Sequence, residues 1–185
     1  MISFSLAIPG CKLYVREVFN AISRNSGSSP PTVKLEANLR AEIEFCRFLD
    51  DRKDCFQWRT EHHASVTVYS DASKMAWGGT LRLGGHSLES RDTGLTIRRI
   101  STSSIEAQAL LYSLLPFKKH LTSSRVDVYT DNRVLTSALE NECCRSSEVN
   151  GVLKDIFRFC REYNFSLDVY YVPSGENPAD PTSRS

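Results

Sequence analysis

The stretch that decides the fold is Val66-Thr-Val-Tyr-Ser-Asp-Ala-Ser-Lys-Met-Ala-Trp-Gly-Gly79. It opens with β-forming residues, which predict a strand that ends on the carboxylate of Asp71 among small residues. Met75 to Leu83 predict a second strand, in which Gly78 and Gly79 permit bends or the close approach of another element. A strand that ends on an acid and returns at once as a hairpin holds a negative charge rigidly at the centre of a sheet.

Downstream of this hairpin the chain alternates short strands with helices. A tight turn is predicted at Gly84-Gly85. Ser103 with Glu106 fits a capping box at the start of the first long helix. Further strands are predicted at His86–Ser90, Arg125–Thr130 and Ser166–Val172, and helices at Ser103–Pro116, Asn132–Glu140 and Ser146–Tyr163. Helical crossovers favour parallel pairing of the later strands, so the pattern predicts an α/β fold with a mixed five-stranded sheet flanked by helices.

Upstream of residue 60 the chain predicts only packing helices. Apolar residues recur at helical spacing over Leu13–Ser23 and over Leu35–Asp51. The residues between them, Asn25–Pro31, have the composition of a loop. We therefore expect a helical extension over residues 1–60 and a separate α/β domain over residues 61–185.

The composition argues against several classes of function. The formal net charge is +1, so any binding of a polyanion must be local. The six cysteines include no C-x-x-C pair, which argues against a zinc site. No apolar run approaches the ~18 residues of a membrane span, and Ile2–Ile8 lacks the basic start of a signal peptide. The expected location is intracellular, cytoplasmic or nuclear, with no membrane partner.

Four acids stand at the ends of predicted elements, namely Asp71, Glu106, Asp131 and Asp180. The carboxyl ends of parallel strands and the adjacent helix starts gather at one edge of a sheet, so these four side chains can converge. Converged carboxylates repel one another unless cations are bound, and Mg²⁺ prefers oxygen ligands. Two such ions ~4 Å apart can activate a water and steady the leaving oxygen of a phosphodiester. The set therefore predicts hydrolysis of a nucleic-acid backbone.

Each acid alone also has a purely structural interpretation. Glu106 can be the acid of the capping box, Asp131 can form an N-cap pair with Asn132, and Asp180 can belong to a turn before Pro181. Only the placement of all four at element ends favours a joint site.

These residues resemble the ribonuclease H domain of reverse transcriptases, over roughly residues 64 to 184. The final block most resembles that of LTR-type or DIRS-like retrotransposons. The matching blocks are Tyr69–Ser73 with Trp77–Gly79, Ser104–Gln108, Val128–Asn132, and Val172–Asp180 with Ser183-Arg184.

The resemblance implies a function and a set of roles. Asp71, Glu106, Asp131 and Asp180 would be the catalytic ligands of two Mg²⁺ ions, with Mn²⁺ as a substitute, and would cleave the RNA strand of an RNA–DNA hybrid. Ser73, Thr102 and Ser103 stand where family members touch the hybrid, although helix caps and turns are equally ordinary roles for them.

Residues 1–60 resemble the thumb or connection segment that precedes the ribonuclease H domain, which implies an upstream polymerase domain as a partner. Three features depart from the family: the loop Pro173–Pro178 has no histidine, the last helix is missing or truncated, and the basic handle helix of some members has no clear counterpart. Two other functions stay open. One is an integrase-like DNA nuclease, and the other is an inactive remnant that serves as a scaffold.

Overall fold

The computed structural model describes residues 10–27, 32–46, 65–73, 76–93 and 101–184. The predictions for residues 2–8, for the end of the loop at 28–31 and for the end of the second helix at 47–51 lie outside these ranges. The chain divides into two compact units, residues 1–60 and 61–185.

The described residues of the first unit form three helices: α1 (Cys11–Tyr14), α2 (Arg16–Asn25) and α3 (Ala37–Cys46). The predicted helix over Leu13–Ser23 is divided at Val15, whose φ of −115° and ψ of 2° leave the helical region. The start of α2 is capped from α3, because the buried carboxylate of Glu42 accepts backbone hydrogen bonds from Glu17 at 2.7 Å and Val18 at 3.2 Å. A carboxylate at this end satisfies free N–H groups and the positive end of the helix dipole.

In the second unit the described residues form one mixed five-stranded sheet, as predicted. Its strands are β1 (Ser65–Ala72), β2 (Trp77–Leu83), β3 (His86–Asp92), β4 (Arg125–Thr130) and β5 (Ser166–Tyr171). The spatial order is β3-β2-β1-β4-β5. The hairpin strands pair antiparallel, whereas β4 runs parallel to both β1 and β5. The predicted parallel pairing of the later strands is confirmed.

The described part of this unit also forms the helices α4 (Thr102–Leu114), α5 (Lys118–Leu121), α6 (Arg133–Glu140), α7 (Ser147–Glu162) and α8 (Asp180–Arg184). Short 3-10 segments occupy Leu115–Phe117 and Ser174–Glu176. The predicted N-cap of α7 is confirmed, since Ser146 Oγ accepts a hydrogen bond from the backbone N–H of Val149 at 3.3 Å. The core lies where α4 and α7 meet each other and α4 meets β1 and β2. Its fully buried side chains include Val66, Val68, Leu81, Leu110, Val128, Leu153 and Ile156.

The two glycines of β2 let helices approach both faces of the sheet. A Cβ on Gly79 would lie 2.6 Å from Cβ of Ser113 in α4. A Cβ on Gly78 would lie 2.6 Å from the backbone nitrogen of Ser183 in α8. Successive residues of a strand face opposite sides, so α4 and α8 pack against opposite faces at this point. The close approach predicted for these glycines is confirmed.

The predicted capping box of α4 is wrong. The N-cap is Ser101, whose side chain accepts a hydrogen bond from the backbone N–H of Ser104 at 3.3 Å. Ser103 lies inside the first turn, and Glu106 lies beyond it, too far along the helix to serve a cap. The structural interpretation of Glu106 therefore fails, which leaves its carboxylate available for another role.

No helix in the described ranges combines the length and the apolar character needed to span a lipid bilayer.

Candidate active site

Three of the four predicted acids meet at one edge of the sheet. Asp71, Glu106 and Asp131 each offer a carboxylate oxygen, and these oxygens lie within 4.8 Å of one another. Asp71 stands near the end of β1, Asp131 directly follows β4, and Glu106 projects from α4. Asp71 and Glu106 are buried, with 4% and 7% of their surfaces exposed, whereas Asp131 is half-buried.

Burial and mutual repulsion act together on this group. Burial, followed by the charges of Asp71 and Asp131, raises the pKa of Glu106 to about 8, against a weaker opposing effect of a backbone hydrogen bond at Ala72. Burial also raises the pKa of Asp71, opposed first by a hydrogen bond from Ser183 and reinforced by the charges of Asp131 and Asp180. The ionised cluster is therefore unfavourable unless a positive charge enters it.

The donor set fits a hard divalent cation. All three side chains offer carboxylate oxygens, which Mg²⁺ and Mn²⁺ accept as ligands. Within the described part of the chain, Glu106 Oε2 is buried and has no hydrogen-bond partner. A buried carboxylate oxygen without a donor is costly, and a coordinated cation would satisfy it. Asp71, Glu106 and Asp131 can thus hold a divalent metal ion.

The fourth predicted acid, Asp180, is not part of this group of oxygens. It is the first residue of α8, and its Oδ1 lies 2.6 Å from Nη2 of Arg184, one turn further along the same helix. Its charge nevertheless raises the pKa of Asp71, so it stands at the border of the cluster. The structure gives Asp180 an ion pair, and its role as a metal ligand stays a prediction.

The three predicted substrate-contacting residues lie at two places. The hydroxyl of Ser73 accepts a hydrogen bond from the backbone N–H of Ala76 at 3.0 Å and lies 3.2 Å from the Ala76 carbonyl oxygen, so it closes the turn between β1 and β2. Thr102 is exposed and Ser103 is half-buried, and they are the first two residues of α4. Their contact with a hybrid stays a prediction.

Two residues of the site had no predicted role. Ser183 Oγ donates a hydrogen bond to Oδ2 of Asp71. Asn177 Nδ2 donates to the carbonyl oxygen of Ser70 at 3.0 Å, and its Oδ1 accepts from the backbone N–H of Ala179 at 3.1 Å. Both belong to the last block of the family resemblance, and that block is the feature of the sequence that could have identified them as site residues. Their contacts join the C-terminal segment to the end of β1.

No protein-family model matches the chain, and no curated protein matches it. Solved structures do. RNase H1 from the halophilic archaeon Halobacterium salinarum matches with a TM-score of 0.51 at 15% identity, covering 64% of this chain and 92% of that one. LC11-RNase H1, solved in complex with RNA/DNA hybrid, matches with a TM-score of 0.52 at 16% identity, over 64% and 91% of the two chains.

The N-terminal RNase H domain of rv2228c from Mycobacterium tuberculosis matches with a TM-score of 0.51 at 14% identity, over 65% and 96% of the chains. At these identities the likeness concerns the fold alone. The second unit therefore has a ribonuclease H-like fold, as the resemblance in the sequence implied.

Proposed function

We propose that this protein hydrolyses the RNA strand of RNA–DNA hybrids in a reaction that depends on Mg²⁺, with Mn²⁺ as a substitute. The observation that carries the proposal is the meeting of Asp71, Glu106 and Asp131 within 4.8 Å on a ribonuclease H-like fold. Bound RNA/DNA hybrid in one neighbour of the same fold supports the choice of substrate.

The roles of the residues follow from their chemistry. Two divalent ions, when bound, supply an activated water and charge stabilisation for the leaving oxygen of the phosphodiester. Asp71 and Asp131 would orient this site from the rigid ends of adjacent strands. Glu106 would give up the proton that its raised pKa lets it hold in the metal-free protein. Asp180 would complete the ligand set after leaving Arg184.

Recognition of the hybrid would fall to residues beside the carboxylates. Ser73, Thr102 and Ser103 carry hydroxyl groups that can hydrogen-bond to a nucleic-acid backbone or to ribose 2′-hydroxyls. A 2′-hydroxyl is what distinguishes the RNA strand from the DNA strand at a given position.

We further propose that the protein works as part of a retrotransposon reverse transcriptase, LTR-type or DIRS-like. The support is the resemblance of residues 1–60 to a thumb or connection segment, together with their three described helices. An open reading frame that continues upstream into a polymerase domain with its own catalytic aspartates would support this context. A transcript without such a domain would count against it.

The function is tested on hybrids labelled on either strand. We expect the full chain to cut the RNA strand in Mg²⁺, to spare the DNA strand and double-stranded DNA, and to stop in excess chelator. Asp71→Asn should abolish cleavage. A matched control is Asp155→Asn, which removes an exposed carboxylate of α7 that pairs with Arg158 at 3.1 Å.

Three results would contradict the proposal. Cleavage of DNA ends would favour an integrase-like nuclease instead. A folded wild-type protein that cuts neither strand would favour the inactive scaffold. Cleavage that survives Asp71→Asn would place the activity outside this site.

A further inference from the structure

The hydroxyl of Ser183 sits between two acceptors. It donates to Asp71 Oδ2, and it also lies 3.0 Å from the backbone carbonyl oxygen of Asp180. A hydroxyl has one proton to donate, so these two acceptors compete for it. A carboxylate is the stronger acceptor, because hydrogen bonds to ionised groups are stronger than neutral ones. Ser183 therefore donates its hydrogen bond to Asp71 whenever Asp71 is ionised.

The position of Ser183 is set by backbone contacts. Its N–H donates to the carbonyl oxygen of Ala179 at 3.0 Å, and only 1% of its surface is exposed. Gly78 of β2 lies directly beneath it, where a Cβ would come within 2.6 Å of the Ser183 nitrogen and 2.9 Å of the Ala179 oxygen. Asn177, by its bond to the Ser70 carbonyl, holds the preceding loop on β1. The serine is thus fixed relative to the strand that carries Asp71.

A hydrogen-bond donor can set the orientation of the Asp71 carboxylate. The terminal torsion of an aspartate is broad and roughly two-fold, and the neighbouring acids Glu106 and Asp131 repel it. A hydrogen bond to Oδ2 selects one orientation of the carboxylate relative to Glu106 and Asp131. Groups that orient a metal ligand in this way commonly contribute about 10- to 100-fold to metal affinity.

We propose that Ser183 is a positioning residue of the cation site and that it fixes the orientation of the Asp71 carboxylate for metal binding. The close packing of α8 against Gly78 holds Ser183 in place for this role. This inference rests on the proposed function for its biological meaning, because the cation site is the one assigned to catalysis. Its test does not rest on activity.

The primary test measures Mn²⁺ binding to the full chain without nucleic acid, by titration calorimetry and by electron paramagnetic resonance of free Mn²⁺. We expect Ser183→Ala to weaken Mn²⁺ binding by about 10-fold or more. Ser183→Thr keeps the hydroxyl and should recover most of the loss. Ser137→Ala removes an exposed hydroxyl of α6 and should bind as the wild type does.

A second variant displaces Ser183 by changing the packing of the α8 backbone against β2. Gly78→Ala keeps the hydroxyl but forces α8 away from β2, so it should weaken Mn²⁺ binding as Ser183→Ala does. In hybrid cleavage, Ser183→Ala should raise the Mg²⁺ concentration for half-maximal rate by about the same 10-fold and leave the rate at saturating Mg²⁺ within a few-fold of wild type.

Two outcomes overturn the inference: wild-type Mn²⁺ affinity in Ser183→Ala, or a folded Ser183→Thr that binds no better than the alanine variant. Failure of the proposed function is distinguishable from both. Should the wild type cut no hybrid while the variants still rank in Mn²⁺ affinity as stated, the function fails and the positioning role stands.

Discussion

Asp71 and Asp131 stand level with one another at the carboxyl ends of two adjacent parallel strands. The last residue pair of β1 with β4 joins Tyr69 to Tyr129, and each acid comes two residues later in the chain: Asp71 near the end of β1 and Asp131 directly after β4. The paired strands that precede them therefore bring both acids to the same edge of the sheet, although their carboxylates repel. With Glu106 brought in by α4, the fold holds three acids together at the expense of its own stability, and several properties of the protein follow from that conflict.

The first consequence is a stability that falls with pH when metal is absent. The pKa of Glu106 is about 8 in the folded protein and 4.5 as its ordinary value, so the folded state binds more protons between these values. The free energy of unfolding then decreases as pH rises through this window. The raised pKa of Asp71 acts in the same direction. Thermal melts in chelator from pH 5 to pH 9 should show the melting temperature declining.

Glu106→Gln should flatten this dependence and melt above the wild type at pH 9, by on the order of 5 °C. Glu140→Gln, which alters an exposed acid at the end of α6, should leave the decline unchanged. A wild-type curve that rises with pH would contradict the assignment of Glu106 as a buried, protonated acid.

A bound divalent cation should offset the repulsion between the three carboxylates and so stabilise the folded state. A ligand that binds only the folded state at about 100 times its Kd stabilises by about 2.7 kcal/mol, which for a chain of this length is about 5–10 °C. We expect Mg²⁺ or Mn²⁺ to raise the melting temperature of the wild type in this range. Asp131→Asn should remove most of the effect. An equal rise in Asp131→Asn, or with NaCl of the same ionic strength, would show that the cations act elsewhere.

The ion pair of Asp180 with Arg184 should break at little cost in free energy. Arg184 is 67% exposed, and such pairs contribute under about 1 kcal/mol. If Asp180 completes the metal site, Asp180→Asn should lower the rate of hybrid cleavage by about 10-fold or more, as losses at charged catalytic groups do. Arg184→Ala should leave the rate within a few-fold of wild type. Equal rates for Asp180→Asn and wild type would mean that three acids suffice.

The sequence predictions that were confirmed depend mainly on local patterns of residues. The bounds of β4 and the N-cap Ser146 follow from residues that are neighbours in the chain. The meeting of Asp71 with Asp131 also followed, because helical crossovers imply parallel strands, and parallel strands bring their carboxyl ends together.

The failed capping box, the missed contact of Ser183 and the rejected alternative of a turn at Asp180 all depend on choices that local sequence leaves undecided. Ser101 and Ser103 are both good N-cap residues, and only the packing of α4 selects the first. The contact between Ser183 and Asp71 joins residues 112 positions apart, so no local pattern contains it. Asp180 before Pro181 suggested a turn, yet proline is tolerated in the first turn of a helix, and α8 begins there.

The choice of N-cap for α4 can be tested by mutation. It matters to the site because α4 carries Glu106. Ser101→Ala removes the side-chain acceptor for the backbone N–H of Ser104 and should cost about 1 kcal/mol, or about 2–4 °C in melting temperature. Ser103→Ala, two residues along the same helix, should change the melting temperature little. The reverse ranking would restore the capping box of Ser103 with Glu106.

The approach of α4 to β2 gives the last prediction. Gly79→Ala would place a methyl group 2.6 Å from Cβ and 3.1 Å from Cα of Ser113, so we expect a loss of about 1–3 kcal/mol from overpacking. Gly151→Ala is the matched control, because a Cβ there meets nothing within 4 Å and alanine favours helix α7 by about 0.5–1 kcal/mol. Chemical denaturation measures both changes, which should have opposite signs.

The double variant Gly79→Ala, Ser113→Gly isolates the cause. Removing Cβ of Ser113 clears the space that the new methyl group needs, so the double variant should be more stable than the sum of the two single losses predicts. Additive losses would mean that Gly79 is required by the backbone of β2 itself, and the helix that positions Glu106 would then be held to the sheet by other contacts.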